Sequence, residues 1–414
     1  MNKRLERGER PVFPKRAVVT GGMPYGNKSL HFGHVGGMFV HADIFARFLR
    51  DRIGEENVIF VSGTDCYGSP IKEAYRKLKE SGYEGTIEEY VSDNHEKQKK
   101  TLQDYKISLD IFGASALGKT GMMHSRFSAE IFNRLYENGY IEKLSTLQFY
   151  DEDTDTFLNG RQVIGRCPIP GCTSEKAYAD ECSLGHQYMP SELISPISAL
   201  TGKKPILKSV DNWYFCLESL IDMMKERNDA LRRYSNTRRF QLDVIEESLK
   251  KPSIYIPRKN MANQEELEHF FPMHETMDEE KKTVLEYERH MYNHDFHRIS
   301  YVLDDYIREV NKHWVNGVRD ADKNGDTELR KQRVADCFYA CKVMAILLHP
   351  IAPDGCEMFR EYMNMDKSLW NWDKILEPIS SYVGDLSEHE LKYLFPRVDF
   401  FKKHESQLMP SEEA

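Results

Sequence analysis

Ala17-Val18-Val19-Thr20-Gly21-Gly22-Met23-Pro24-Tyr25-Gly26-Asn27-Lys28-Ser29-Leu30-His31-Phe32-Gly33-His34 is the stretch whose reading decides the architecture. Residues 17–20 are β-prone and stop at a glycine pair. Beyond Met23-Pro24-Tyr25-Gly26-Asn27 a helical pattern begins at about Leu30 and continues to Arg52. Asn57-Val58-Ile59-Phe60-Val61-Ser62, closed by Gly63, is an apolar run that reads as a buried parallel strand. Strand, glycine turn, helix and strand make a βαβ unit. His31 and His34 therefore stand where a strand hands over to a helix. Free backbone N–H groups and the helix dipole favour anions at such a point. Two imidazoles there can donate to phosphate oxygens, and Gly33 lets a flat ring approach the backbone. Taken alone, H-x-G-H is a weak signal that more often marks two surface histidines.

Working outward, residues 73–107 are charged and helical, and Ile107-Ser108-Leu109-Asp110-Ile111-Phe112 reads as a third strand. From roughly 140 to 212 come short β-like pieces, turn residues and a cysteine cluster, the marks of an inserted module. Lys251-Pro252-Ser253-Ile254-Tyr255-Ile256-Pro257 reads as a return to the sheet, and 259–277 as a polar linker. Phe296, Ile299, Leu303, Tyr306, Val310 and Trp314 then follow three-and-four spacing, the apolar face of a long helix with Trp314 in the core. A second helix runs from about Leu329 to Leu348 and stops at His349-Pro350. The expected fold class is α/β: a partial Rossmann-like parallel sheet, an inserted module and a C-terminal α-helical bundle. The boundaries are 1–112 for the half-sheet, 113–250 for the insertion, 251–277 for return strand and linker, 278–405 for the bundle and 406–414 for a tail.

The 414 residues suffice for two or three such units. Hydrophobic residues make up 40% and charged residues 30%, an ordinary water-soluble composition. A formal net charge of -9 argues against coating nucleic acid through global charge, although a local basic groove depends on where charge sits. Met1 to Arg16 has no apolar segment of the signal-peptide kind, and no run approaches the length of a membrane span. Eight cysteines in a chain this long form no disulfide framework, so a reducing, cytoplasmic compartment is expected.

Residues 20–34 closely resemble the HIGH segment of the methionyl-tRNA synthetase family. Phe60-Val61-Ser62-Gly63-Thr64-Asp65-Cys66-Tyr67-Gly68-Ser69-Pro70-Ile71 resembles that family's second signature. The likeness continues through Asp110, Leu135-Tyr136-Glu137-Asn138-Gly139, the cysteine cluster and Ser191-Glu192-Leu193-Ile194. It resumes at Leu348-His349-Pro350-Ile351-Ala352-Pro353. The resemblance implies a class I synthetase catalytic domain. It makes Met23, Tyr25 and Asp65 the amino-acid-binding residues, with Asp65 pairing with the α-ammonium. It makes His31 and His34, with Gly33 between them, the contacts to ATP phosphates, with Mg2+ accompanying the nucleotide. As a residue of sequence alone, Asp65 also suits a plain strand-end turn.

Two further patterns carry chemistry. Cys167-Pro168-Ile169-Pro170-Gly171-Cys172 and Cys182-Ser183-Leu184-Gly185-His186 place two ligand pairs on tight turns, as a closed tetrahedral zinc site needs. Cys167, Cys172, Cys182 and His186 would hold a structural Zn2+. The family's knuckle usually has four cysteines in tighter pairs, so the wider first pair and His186 are departures. Cys337 and Cys341, four apart on one helical face, read as packing residues. Gly113-Ala114-Ser115-Ala116-Leu117-Gly118-Lys119-Thr120 matches the phosphate-binding pattern G-x-x-x-x-G-K-[ST], with Lys119 as the phosphate ligand. Against it, no apolar strand ending in an aspartate follows to hold magnesium.

In the family, the sheet resumes after the insertion and brings ribose and adenine contacts, aromatic residues of the methionine pocket and the mobile KMSKS loop. Here the chain passes from Pro257-Arg258 through the linker into helices, and Met365-Asp366-Lys367-Ser368 lies in the wrong element to be a KMSKS equivalent. Without positive charge on the departing pyrophosphate, adenylation slows unless another group, such as Lys119, substitutes. The family's anticodon-reading Pro-Trp pair is also absent from Asn311-Lys312-His313-Trp314-Val315-Asn316-Gly317. The leading expectation is therefore a protein that binds a methionine-like amino acid and ATP and forms an adenylate for an acceptor other than tRNA. The alternatives are an amino-acid sensor or partner of another synthetase, and a residual methionine--tRNA ligase. An open sheet edge left by the shortened domain predicts a homodimer or a covering partner protein.

Overall fold

The computed structural model describes residues 5, 10–232, 278–363 and 365–377. The expected return strand and linker at 251–277, the end of the bundle from 378 to 405 and the tail at 406–414 lie outside the described residues. β1 (Ala17–Thr20), β2 (Val58–Thr64) and β3 (Ile111–Ala114) form a parallel sheet in that order. Ala17 pairs with Val58, Thr20 with Val61, and Val61 on its other side with Ile111. Alternation across the strands sends Val19, Val58 and Phe60 into the core. Val18 and Ile59, cross-strand neighbours, face the other way and stay 67% and 48% exposed.

The crossover from β1 to β2 consists of α1 (Phe32–His34), a five-residue π turn (Val35–Phe39) and α2 (Val40–Ile53). Sequence periodicity expected one uninterrupted helix from Leu30. The observed helix starts two residues later and widens where Gly36 leaves room for the Phe32 ring; a Cβ at Gly36 would lie 3.1 Å from that ring. The charged stretch 73–107 divides into α3 (Ser69–Glu80) and α4 (Ile87–Asp104). Gly82, at φ +98°, breaks it, and Thr86 with Glu89 forms a capping box that restarts it. β3 begins at Ile111, later than the expected Ile107. The reason is Asp110, whose carboxylate takes the Phe60 N–H at 2.7 Å and the Arg50 guanidinium at 2.9 Å.

The insertion contains α5 (Gly118–Glu137), β4 (Ile141–Asp151), β5 (Thr156–Phe157), β6 (Val163–Arg166), β7 (Ile194–Ser198), β8 (Ile206–Phe215) and α6 (Ile221–Arg232). The β pieces are not all short: β4 and β8 pair antiparallel from Ile141↔Phe215 to Tyr150↔Ile206. Further on come α7 (Asp278–Asn293), α8 (Phe296–Asn324), α9 (Thr327–Leu348) and α10 (Pro353–Tyr362). Ile299, Leu303 and Tyr306 are buried as their spacing predicts, but Trp314 is 42% exposed rather than core. α8 is 29 residues long, and the apolar cluster follows it only as far as Val310.

That cluster is continuous with the half-sheet. The Phe48 ring of α2 lies 5.0 Å from Trp372 and 6.0 Å from Tyr287. Arg52 pairs with the buried Glu288 at 2.9 Å and with Asp373 at 2.8 Å. Met365, which opens the KMSKS-like string, and Leu369, just after it, are buried in the same cluster. No helix among the described residues is long and apolar enough to cross a membrane.

Candidate functional site

The connection after β1 and the end of β2 meet at the top of the sheet. Tyr25 and Asp65 form an isolated parallel bridge, in which Asp65 N–H donates to Pro24 O at 2.8 Å and Gly26 N–H to Asp65 O at 2.7 Å. Just before Asp65, Gly63 permits the close approach of β2 to β3. A Cβ there would come within 2.6 Å of the Gly113 carbonyl oxygen, which only a glycine avoids. One carboxylate oxygen of Asp65 accepts from Tyr67 N–H at 3.1 Å, so the turn reading and the binding reading of this residue are compatible. No arginine or lysine of the described residues pairs with that carboxylate. Met23 and Tyr25, on the connection that Asp65 bridges, are about half exposed.

His31 is the N-cap of α1, and its Nδ1 accepts from Gly33 N–H at 3.1 Å. His34 returns the bond, its Nδ1 accepting from His31 N–H at 3.3 Å. The rings lie 3.9 Å apart, tilted by 34°. With both Nδ1 atoms accepting, each neutral ring carries its proton on Nε2, leaving two N–H donors beside a helix start. Burial, then the neighbouring His31 and Lys28, lower the His34 pKa, so the ring is neutral near pH 7.

The strand-turn-helix context gave no sign of a second set of residues. Tyr90, Asn94 and Gln98 on α4 hydrogen-bond to carbonyls of residues 25–28, and the Thr64 hydroxyl joins Gln98 to His95. His95 stacks on Phe112 at 5.3 Å, and burial lowers its pKa. Their signal in sequence is a polar stripe at spacing four within a helix, which a solvated face imitates.

The P-loop-like segment has a shape of its own. Gly113 lies inside β3, paired with Gly63, and three residues separate the strand from α5. Ser115 N–H is spent on Thr64 O at 3.0 Å, and its hydroxyl accepts from Cys66 N–H at 2.8 Å. Lys119 is exposed in the first turn of α5.

The four predicted metal ligands converge. Their donor atoms all lie within 4.8 Å of one another, with Cys172 Sγ to Cys182 Sγ at 3.9 Å. His186 Nδ1 is 3.5 Å from Cys182 Sγ and 3.7 Å from Cys167 Sγ. A tetrahedron with Zn–S of about 2.3 Å and Zn–N of about 2.0 Å has edges of roughly 3.5–3.8 Å, so the donor set fits that ion. Gly171 and Gly185 supply the left-handed turns, at φ +76° and +83°, that fold each ligand pair back on itself. Cys337 is buried in α9 as a packing residue.

Residues 17–263 match the family model for class I tRNA synthetases (M). The methionine--tRNA ligase of Cytophaga hutchinsonii is 37% identical over 215 residues, 51% of this chain and 29% of that protein. That of Bacteroides fragilis is 39% identical over 206 residues, 49% of this chain and 28% of that one. That of Thermococcus onnurineus is 36% identical over 241 residues, 58% and 31%. The chain thus spans less than a third of the length of these curated relatives. Among solved structures, Mycobacterium tuberculosis methionyl-tRNA synthetase in complex with methionyl-adenylate aligns with 58% of this chain and 40% of its own, at 18% identity and a TM-score of 0.38. With the family match covering well over half of its residues, the chain belongs to the class I tRNA synthetases of the methionyl (M) group.

Proposed function

We propose that this chain binds a methionine-like amino acid at Met23, Tyr25 and Asp65 and activates it with ATP as an aminoacyl adenylate. The observation that carries the reading is the Tyr25–Asp65 bridge. It fixes an aspartate at a strand end, with no cation of the described residues against its carboxylate, beside the connection that runs on to the histidine pair. Asp65 would hold the α-ammonium by a charge-assisted hydrogen bond. The amino-acid carboxylate then attacks the α-phosphorus of ATP, the bond to the bridging oxygen of the β-phosphate breaks, and pyrophosphate leaves with its Mg2+. Nε2–H of His31 and His34 would donate to phosphate oxygens as charge develops. Cys167, Cys172, Cys182 and His186 would hold a zinc ion that only braces the insertion, since four protein ligands leave no open position.

For the acceptor, the proposal is a nucleophile other than tRNA, supported by the missing Pro-Trp pair at 311–317. A second reading, transfer to tRNA, is favoured by the relatives' own name, methionine--tRNA ligase, and by Trp314, whose indole is exposed. Methionine-dependent exchange of pyrophosphate into ATP tests the first step. Exchange that falls at least roughly tenfold in Asp65→Asn, with unchanged melting, is expected. Methionine binding without exchange would instead make the chain a sensor. A tRNA gel shift that weakens steeply with salt would select the second acceptor.

A further inference from the structure

Four consecutive carbonyls of the connection between β1 and α1 are turned toward one face of α4. Gln98 Nε2 donates to Tyr25 O at 2.9 Å and Lys28 O at 2.8 Å. Asn94 Nδ2 donates to Gly26 O at 3.1 Å, and Tyr90 Oη to Asn27 O at 2.5 Å. The donors stand at i, i+4 and i+8, so they form one stripe along the helix. Gln98 is completely buried and Asn94 nearly so.

The network has a forced direction. Both N–H groups of Gln98 are spent on carbonyls, so its Oε1 must accept from the Thr64 hydroxyl, at 2.8 Å. That hydroxyl, having donated its one proton, must accept from His95 Nδ1–H, also at 2.8 Å. Gln98 therefore ties the connection bearing Tyr25 to the strand residue that immediately precedes Asp65. The composition of α4 is unusual for a helix held by packing alone. Of its four buried positions, Val91, Asn94, Gln98 and Leu102, two are amides. Apolar residues in place of the two amides would serve the core and leave three of the four carbonyls, those of Tyr25, Gly26 and Lys28, without these partners.

We propose that Tyr90, Asn94 and Gln98 are positioning residues that hold Tyr25 and Asp65 in register and thereby set the affinity for the amino acid. The ligand half of this inference rests on the function proposed above; the clamping half does not. Gln98→Met keeps length and volume while removing every donor. Backbone amide hydrogen exchange, followed by mass spectrometry on the full chain, reads residues 22–30 directly, with α8 as an internal control. Methionine titration calorimetry on the same samples reads affinity.

The expected result is exchange at least roughly tenfold faster over 22–30, unchanged exchange in α8, and methionine binding weakened roughly tenfold or more. Unchanged exchange over 22–30 overturns the proposal. Faster exchange with wild-type methionine affinity overturns it too, because the clamp would then not set the pocket. If the unaltered chain takes no methionine, the function proposed above fails, while faster exchange in Gln98→Met still supports the clamp. Should Gln98→Met not fold, Tyr90→Phe deletes a single hydroxyl and is read the same way, with a smaller shift.

Discussion

Lys342 of α9 shows how much one side chain's surroundings decide. It is fully enclosed, and its ammonium donates to Ile375 O at 2.8 Å and Glu377 O at 2.5 Å, with the Tyr339 ring centroid 4.4 Å away. Burial lowers its pKa to about 8, partly offset by Glu377 and Glu280. An unfolded lysine keeps its proton to about pH 10.4, so between about pH 8 and 10.4 the unfolded chain holds more protons. The sign follows: the cost of burying the charge is present in full below pH 8 and is relieved as pH rises through that window. This contribution should amount to about 2 kcal/mol once solvent screening is allowed for. Urea midpoints at pH 7.5 and pH 10 should therefore diverge between the unaltered chain and Lys342→Met. Tyr287 and Cys356, both pushed up by burial, oppose this trend equally in the two proteins and cancel in the comparison. The same pH dependence in both proteins would rule this out. At this scale legibility varied with distance along the chain. His31 and His34 were readable because each lies within one turn of its partner. Gln98 was not, because its acceptors are 73 and 70 residues away and nothing local marks it as buried.

Among the elements, the cysteine–histidine knuckle was the most legible, since spacing and turn glycines alone bring the ligands together. Protein purified without chelator is expected to carry about one zinc per chain. Removing it, or substituting Cys182→Ser, should lower the melting temperature by several degrees and loosen the cluster of Phe149, Leu158, Val163 and Tyr188. A zinc-free protein with an unchanged melting curve would refute a structural ion. Periodicity served less well for the first helix, where the π turn at Val35–Phe39 depends on a ring folding back over Gly36. The P-loop pattern shows the same limit from the other side. Its residue types are right, yet Gly113 sits in a strand because β2 pairs with it through Gly63. Trp314 followed its helical period faithfully and still ended exposed, because the apolar cluster that α8 packs into reaches only as far as Val310, and α9 meets the helix beyond it through polar side chains such as Arg333 and Asp336.

For the whole molecule, β1 and β3 are both sheet edges among the described residues, and Val18, Ile59 and Ile111 stand exposed. Parallel sheets are ordinarily covered on both faces, and an open edge with apolar neighbours invites another strand. Sedimentation at micromolar concentration is expected to show a dimer that Val18→Lys dissociates. A monomer for the unaltered chain would remove that expectation. The sequence by itself determined the βαβ order, the strand-end aspartate, the histidine pair and the convergence of three cysteines and a histidine, because each is a local matter of periodicity, turn chemistry or residue spacing. Only the tertiary structure decided that the C-terminal helices share one core with the half-sheet, that Trp314 is exposed, and that α4 grips the connection carrying Tyr25. Those depend on which surfaces meet across dozens to hundreds of residues, and pattern along a chain carries no record of that.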